Sequence, residues 1–256
     1  FFFKQKTAYE IPKRDWSSDV CSSDLSAFLR DRGLVPDAPT VALLPGSRAN
    51  ELQRIVPGLV AAMPLIRARV PDVQFLVACA PNLPDILFTP FLTGLSWSRK
   101  PDVVPPVLAH DRTDDVLAAC DVVVTASGTA TVQATLFERP MVVVYKLSPL
   151  TYLVGKPFVN VDTYAMPNLV AGRHIVPELI QSDFTPERVA EETATFLNNR
   201  ERHARTREAL RRVREKLGAP GATARAADAV LEVARSAPRV RSRRRETPAT
   251  DGPTPA

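Results

Sequence analysis

The sequence predicts an α/β fold, a doubly wound parallel sheet with helices following at the C-terminal end. Three observations carry this. Strand-type and helix-type segments alternate from residue 41 to residue 145. The strand segments are continuous apolar, β-branched runs, as expected of strands covered on both faces, and not the alternating pattern of a half-exposed sheet. Two of the strand-to-helix turns are built from small residues and glycine.

Taken in order, Val41–Pro45 (VALLP) is a short apolar strand stopped by Pro45-Gly46. Leu52, Ile55, Val56, Leu59, Val60, Met63 and Ile66 then fall at helical spacing across 51–69. Residues 73–79 (VQFLVAC) form a second buried strand, and Thr113 is placed as the cap of a short helix, DDVLAAC. A third strand, 122–126 (VVVTA), runs through Ser127-Gly128 into a helix over 129–138, and 141–145 (MVVVY) follows directly. The stretch 163–181 reads as a long loop. Thr185-Pro186-Glu187 combines a cap, a first-turn proline and a first-turn acid, so helices are expected through most of 186–235, punctuated by Gly218 and Pro220-Gly221.

Composition bounds the function. The chain has 256 residues, 45% hydrophobic and 24% charged, which suits a folded globular protein and excludes collagen and a disulfide scaffold. No apolar run approaches the ~20 residues of a membrane-spanning helix. Cys21, Cys79 and Cys120 have no metal-type or redox spacing. The net charge of +5 resides mainly in the tail: the span 26–234 holds 23 basic and 22 acidic residues, whereas 235–256 holds six basic and two acidic, including RVRSRRR. The tail is expected to be disordered; attraction to anionic headgroups and a plain solvated tail are its two readings. Nucleic-acid binding is not expected of the folded span. Residues 1–25 show no structural period, and codons for Lys4–Glu10 and for Asp15–Asp24 can be written that resemble sequencing-adapter oligonucleotides, so an artefactual or disordered leader is expected there. The expected organisation is a leader over 1–25, a nucleotide-sugar-binding domain with its C-terminal helices over 26–234, and a basic tail over 235–256.

Chemistry is expected at the two turns. In LLPGSRANEL, Gly46 permits a tight turn, Ser47 and the following amides can face an anion at a helix start, and Arg48 adds a planar fork suited to phosphate oxygens. In VVVTASGTATVQATL, the backbone at Ser127, Gly128 and Thr129 can approach a diphosphate, the hydroxyls of Ser127, Thr129 and Thr131 can donate to it, and Gln133, one turn on, can reach a sugar hydroxyl. Close helix-on-strand packing would explain either turn singly. There is no G-x-G-x-x-G fingerprint, and no Asp-x-Asp pair to suggest a metal. The segment 163–181 adds Tyr164, Asn168, Arg173, His174, Glu178 and Gln181.

LLPGSRANEL, ASGTATVQATL, PMVVVYKLSPLTY, MPNLVAGRHIVPELIQ and FTPE, in this order, resemble the lipid-A-disaccharide synthase family from about Ser26 to about Ala234. The resemblance implies the GT-B fold, two Rossmann-like domains facing a cleft, with this chain corresponding to the C-terminal, donor-binding one and a general base expected in an N-terminal domain that the chain lacks. It implies inverting, metal-independent transfer of 2,3-diacylglucosamine from UDP-2,3-diacylglucosamine to 2,3-diacylglucosamine 1-phosphate, at the inner face of the cytoplasmic membrane of a Gram-negative bacterium, with no cofactor. It leaves a homodimer open. By the same resemblance Gly46, Ser47, Arg48, Ser127, Gly128, Thr129, Gln133, Asn168, Glu178 and Gln181 bind the donor, Arg48 stabilises the leaving group, and Gln133 stands where the family has a ribose-binding glutamate. Another GT-B transferase, a UDP-sugar epimerase and a nucleotide-binding module without chemistry are the alternatives.

Overall fold

The computed structural model describes residues 22–93, 104–147, 163–218 and 221–236. The leader through Cys21, the segment 148–162 and the tail from Ala237 lie outside the described residues. Two units are distinguished, one through Gly218 and one from Ala219; within the second, the helix Ala222–Ser236 is described by itself. A helix spans Ser22–Arg30, and the helix Ala222–Ser236 belongs to the second unit.

The first unit is built on six strands: β1 (Thr40–Leu44), β2 (Gln74–Cys79), β3 (Val107–His110), β4 (Val122–Ala126), β5 (Met141–Tyr145) and β6 (Glu178–Ile180). They pair parallel throughout, in the order β3-β2-β1-β4-β5-β6. This is the strand order of the dinucleotide-binding, doubly wound fold. The helices are α1 (Ser22–Arg30), α2 (Ala49–Arg69), α3 (Thr89–Thr93), α4 (Thr113–Ala119), α5 (Thr129–Leu136), α6 (Met166–Ala171), α7 (Pro186–Asn198) and α8 (Arg200–Leu217).

Successive side chains of each strand go to opposite cores, which explains the continuous apolar runs. Val41, Leu43, Phe75, Val77, Val122, Val124, Val142 and Val144 join one cluster with Leu52, Ile55, Leu59 and Met63 of α2 and Val189 and Phe196 of α7. Ala42, Leu44, Leu76, Ala78, Val123, Met141 and Val143 join the other with Phe28 of α1, Leu117 of α4, Ala134 of α5 and Leu210 of α8. Pro57 and Pro64 lie inside α2 without ending it. Pro57 is exposed, so water can serve the carbonyl its missing N–H leaves free.

Three details differ from the sequence reading. Thr113 is the first residue of α4 and does not cap it; Arg112 holds the cap position with no side-chain cap bond and pairs instead with Asp115. The helix over 129–138 ends at Leu136, where Glu138 turns the chain at φ +53°. The 163–181 segment is not a loop throughout, since it contains α6 and β6. The Thr185 cap is as expected, its hydroxyl accepting the Arg188 N–H at 3.2 Å.

Two tests follow from this packing. A β-carbon on Gly58 of α2 would stand 2.7 Å from Cζ of the buried Phe184. Overpacking costs ~1–3 kcal/mol, against roughly 1 kcal/mol regained in helix propensity. Gly58→Ala is therefore expected to lower the unfolding free energy by about 1 kcal/mol in urea titration. Burial raises the thiols of Cys79 and Cys120 to about 12. Both should stay unlabelled by iodoacetamide at pH 8 until denaturant is added, as read by peptide mass spectrometry.

Candidate functional site

A parallel sheet delivers all its outgoing turns to one edge. Because β1 and β4 are neighbours (Leu44 opposite Thr125), the two small-residue turns lie side by side. Four strands leave this edge through a residue of positive φ: Gly46 (+124°) after β1, Asp111 (+54°) after β3, Gly128 (+155°) after β4 and Gln181 (+55°) after β6. Side chains rarely adopt such angles, and their gathering on one edge marks it as the part of the fold shaped for something other than packing.

The β1 turn is already furnished with an anion. Glu51, in the first turn of α2, accepts the Ser47 N–H on Oε2 at 3.2 Å and Arg48 Nη1 on Oε1 at 2.9 Å. Arg48 occupies the cap position of α2, its side chain 79% exposed. The Ser47 amide that the sequence offered to a phosphate is thus bonded to a carboxylate of the chain itself.

The β4 turn is open. Gly128 and Thr129 are exposed at the start of α5, and a β-carbon at Gly128 would meet nothing within 4 Å. Two of its three hydroxyls are committed elsewhere: Thr131 donates to the Gly128 carbonyl at 2.7 Å and Ser127 to the Tyr164 carbonyl at 3.1 Å. The backbone, with the Thr129 hydroxyl, is what this turn offers to an anion. Gln133 is half-buried on α5, one turn beyond Thr129.

Asn168 and Glu178 are brought together, but facing the chain's own backbone. Asn168 is 1% exposed; its Oδ1 accepts the N–H groups of Ile175 (2.7 Å) and Val176 (2.9 Å), and its Nδ2 donates to the Val176 carbonyl (2.8 Å) and to Glu178 Oε1 (2.7 Å). Glu178 also accepts the N–H groups of Tyr164 (2.7 Å) and Ala165 (3.1 Å). The pair clamps 164–178 into one unit, and the Tyr164 carbonyl of that unit receives Ser127. Gln181 has a positive φ, and its side-chain Nε2 is shielded with no hydrogen-bond partner among the described residues. His174 and Arg173 are exposed. The sequence reading missed Glu51 and Asp111. The Glu at the third helical position after a G-S-R turn was the available signal for the first; the second had none.

The family described as lipid-A-disaccharide synthetase matches residues 20–233. The chain belongs to this family. A lipid-A-disaccharide synthase of Geobacter metallireducens is 41% identical over 212 residues, covering 83% of this chain and 52% of that protein. One of Anaeromyxobacter dehalogenans is 43% identical over 209 residues, covering 82% and 53%. The chain spans about half the length of the curated relatives it matches. Among solved structures, Anabaena Alr3699/HepE in complex with UDP and glucose superposes with a TM-score of 0.52 at 13% identity, over 84% of this chain and 52% of that one. That likeness concerns the fold, the Rossmann-like half of a GT-B glycosyltransferase. No helix among the described residues is long and apolar enough to cross a membrane.

The clamp can be tested apart from any ligand. Asn168→Ala would strand buried donors and acceptors at 175–178, at ~1–3 kcal/mol each. A loss of about 3–5 kcal/mol is expected in denaturant titration. Asn168→Asp would instead set a second carboxyl group at the position bonded to Glu178. Two carboxylates there raise the pKa of the pair, so this variant should gain stability as the pH falls from 7 to 5.

Proposed function

We propose that this chain is the donor-binding half of a lipid-A-disaccharide synthase, which transfers 2,3-diacylglucosamine from UDP-2,3-diacylglucosamine to 2,3-diacylglucosamine 1-phosphate with release of UDP. The observation that carries the reading is the pairing of turns at the carboxyl edge of neighbouring strands, one bearing an exposed Arg48 and the other the exposed residues Gly128 and Thr129. A diphosphate needs several donors on one side, fixed before it arrives, and a crevice outside the strand ends is where an open α/β sheet holds a nucleotide. The names of the related proteins supply the substrate class.

In this reading the amides of Gly128 and Thr129 receive the diphosphate and Arg48 stabilises it as negative charge accumulates on the departing UDP. Gln133 hydrogen-bonds the ribose diol. A glutamine does so without charge, so it adds orientation but no repulsion toward the phosphates. Asn168 and Glu178 act at one remove, holding the Tyr164 carbonyl that orients Ser127. Gln181, directly after β6 on the same edge, lines the donor site. The reaction uses no metal; the positive charge is supplied by the chain. Acceptor positioning and the general base are ascribed to the other half of the related proteins. Because both substrates are acylated, the work is placed at the inner surface of the cytoplasmic membrane.

The purified chain should bind UDP in calorimetric titration. Arg48→Ala should weaken binding by ~1–2 kcal/mol, the low side of the range for a hydrogen bond to a charged group, because the side chain is 79% exposed. Equal affinity in variant and parent would remove Arg48 from the site. No binding by the parent would remove the donor reading itself.

A further inference from the structure

We infer that Glu51 is a positioning residue, the fixed acceptor on which Arg48 is held toward the neighbouring β4 turn; this rests on the donor-site reading above. One carboxylate bridges two consecutive residues of the β1 turn, with Oε2 on the Ser47 N–H and Oε1 on the Arg48 guanidinium. The two ends of the ion pair are unequal. The Glu51 side chain is 15% exposed and Arg48 79%. Glu51 is therefore the anchored partner, and Arg48 is a free arm tied at one nitrogen.

Gly46 supports the same arrangement. A β-carbon there would lie 2.6 Å from Glu51 Oε2 and 3.1 Å from its Cβ, so the carboxylate packs against the bare α-carbon of the turn. The φ of +124° at Gly46 is the backbone angle that makes this approach. The turn and the acid fit as one piece. The Glu51 N–H in turn donates to the Arg48 carbonyl at 2.9 Å, so the residue that fixes the guanidinium also closes the first turn of α2 beneath it.

An exposed ion pair adds little to stability, because water screens it and two long side chains must be ordered. Its value here is orientation. A guanidinium has five N–H donors. With one bonded to Glu51, the others remain for phosphate oxygens, on an arm that no longer samples all its rotamers. The opposite possibility is that Glu51 competes with the phosphate for Ser47 and Arg48; it predicts the opposite sign on removal.

The test is a double-mutant cycle on the whole chain, titrated with UDP: parent, Glu51→Ala, Glu51→Gln, Arg48→Ala and the Arg48→Ala/Glu51→Ala double variant. Glu51→Ala is expected to bind about five- to tenfold more weakly, the scale of one hydrogen bond. Glu51→Gln should fall between, since its carbonyl still accepts from Arg48. On the Arg48→Ala background, loss of Glu51 should cost less than about twofold, because contacting residues that act through one another are not additive. Equal or tighter binding by Glu51→Ala, or a full loss that persists without Arg48, would overturn the role. The latter would mean that Glu51 only shapes the turn. A second measurement stands free of UDP and separates this inference from the donor reading. Phenylglyoxal modification of Arg48, followed by peptide mass spectrometry, should quicken about threefold in Glu51→Ala, the worth of an exposed pair. An unchanged rate would show that Glu51 does not hold the arginine.

Discussion

Every strand of this sheet runs the same way, and both of its faces are buried; the rest of the structure depends on that one constraint. Helices of opposite cores cover the faces, so side chains there have packing as their whole task. The outgoing turns of the strands all fall on a single edge, and chemistry is confined to it. The backbone records the confinement. Asp111 and Gln181 carry positive φ directly after β3 and β6, where the strands give way to α4 and to a short 3-10 helix over Gln181–Asp183. Glu138, also positive, closes the C-terminal turn of α5, its N–H donating to the Thr135 carbonyl at 2.9 Å.

Two carboxylates of the chain accept backbone N–H groups near this edge. Glu51 serves the β1 turn and Glu178 the segment after residue 163. Each ties down backbone that would otherwise be free to vary, and neither is deeply buried, so the desolvation cost stays small. Among the described residues the β4 turn shows no such acid as a bonded partner, and its residues Gly128 and Thr129 are exposed.

How legible this was from the sequence follows from burial. β1, β2, β4 and β5 are continuous apolar runs because they are covered on both sides, and their limits were readable to within a residue. β3 and β6 are the sheet's two edges. β3 follows Pro105-Pro106 and has a single buried residue, while β6 is three residues long, so neither carries a periodic signal. α6 was punctuated in the sequence by Pro167 and Gly172, but six residues are too few for a helical period. The site shows the same division. Glycine-bearing turns announce themselves, because few other residues accept their angles. Polar residues do not announce their partners: Asn168 has the chemistry of a ligand-binding amide, yet all four of its bonds go to the chain itself. Glu51 reads in sequence as an ordinary first-turn acid, and only the fold reveals that it faces Gly46 and Arg48.

The two turns differ in what solvent does to them, and under the proposed function this bears on how each would meet a diphosphate. The amides of the β4 turn are neutral dipoles fixed by the strand and helix they join, so they need no reorganisation when charge arrives. Arg48 carries a full charge, but at 79% exposure it works in nearly bulk water, where a unit pair at 4 Å is worth only about 1 kcal/mol. At an effective dielectric of 20 the same pair is worth roughly 4 kcal/mol. In that reading, the strength of any pairing between Arg48 and a diphosphate is therefore set less by its own position than by whatever covers it. Under the proposed function, a nucleotide bound in the open rests mainly on the β4 turn, with Arg48 adding a contact that water weakens, and the charge of Arg48 counts for more wherever another surface excludes that water.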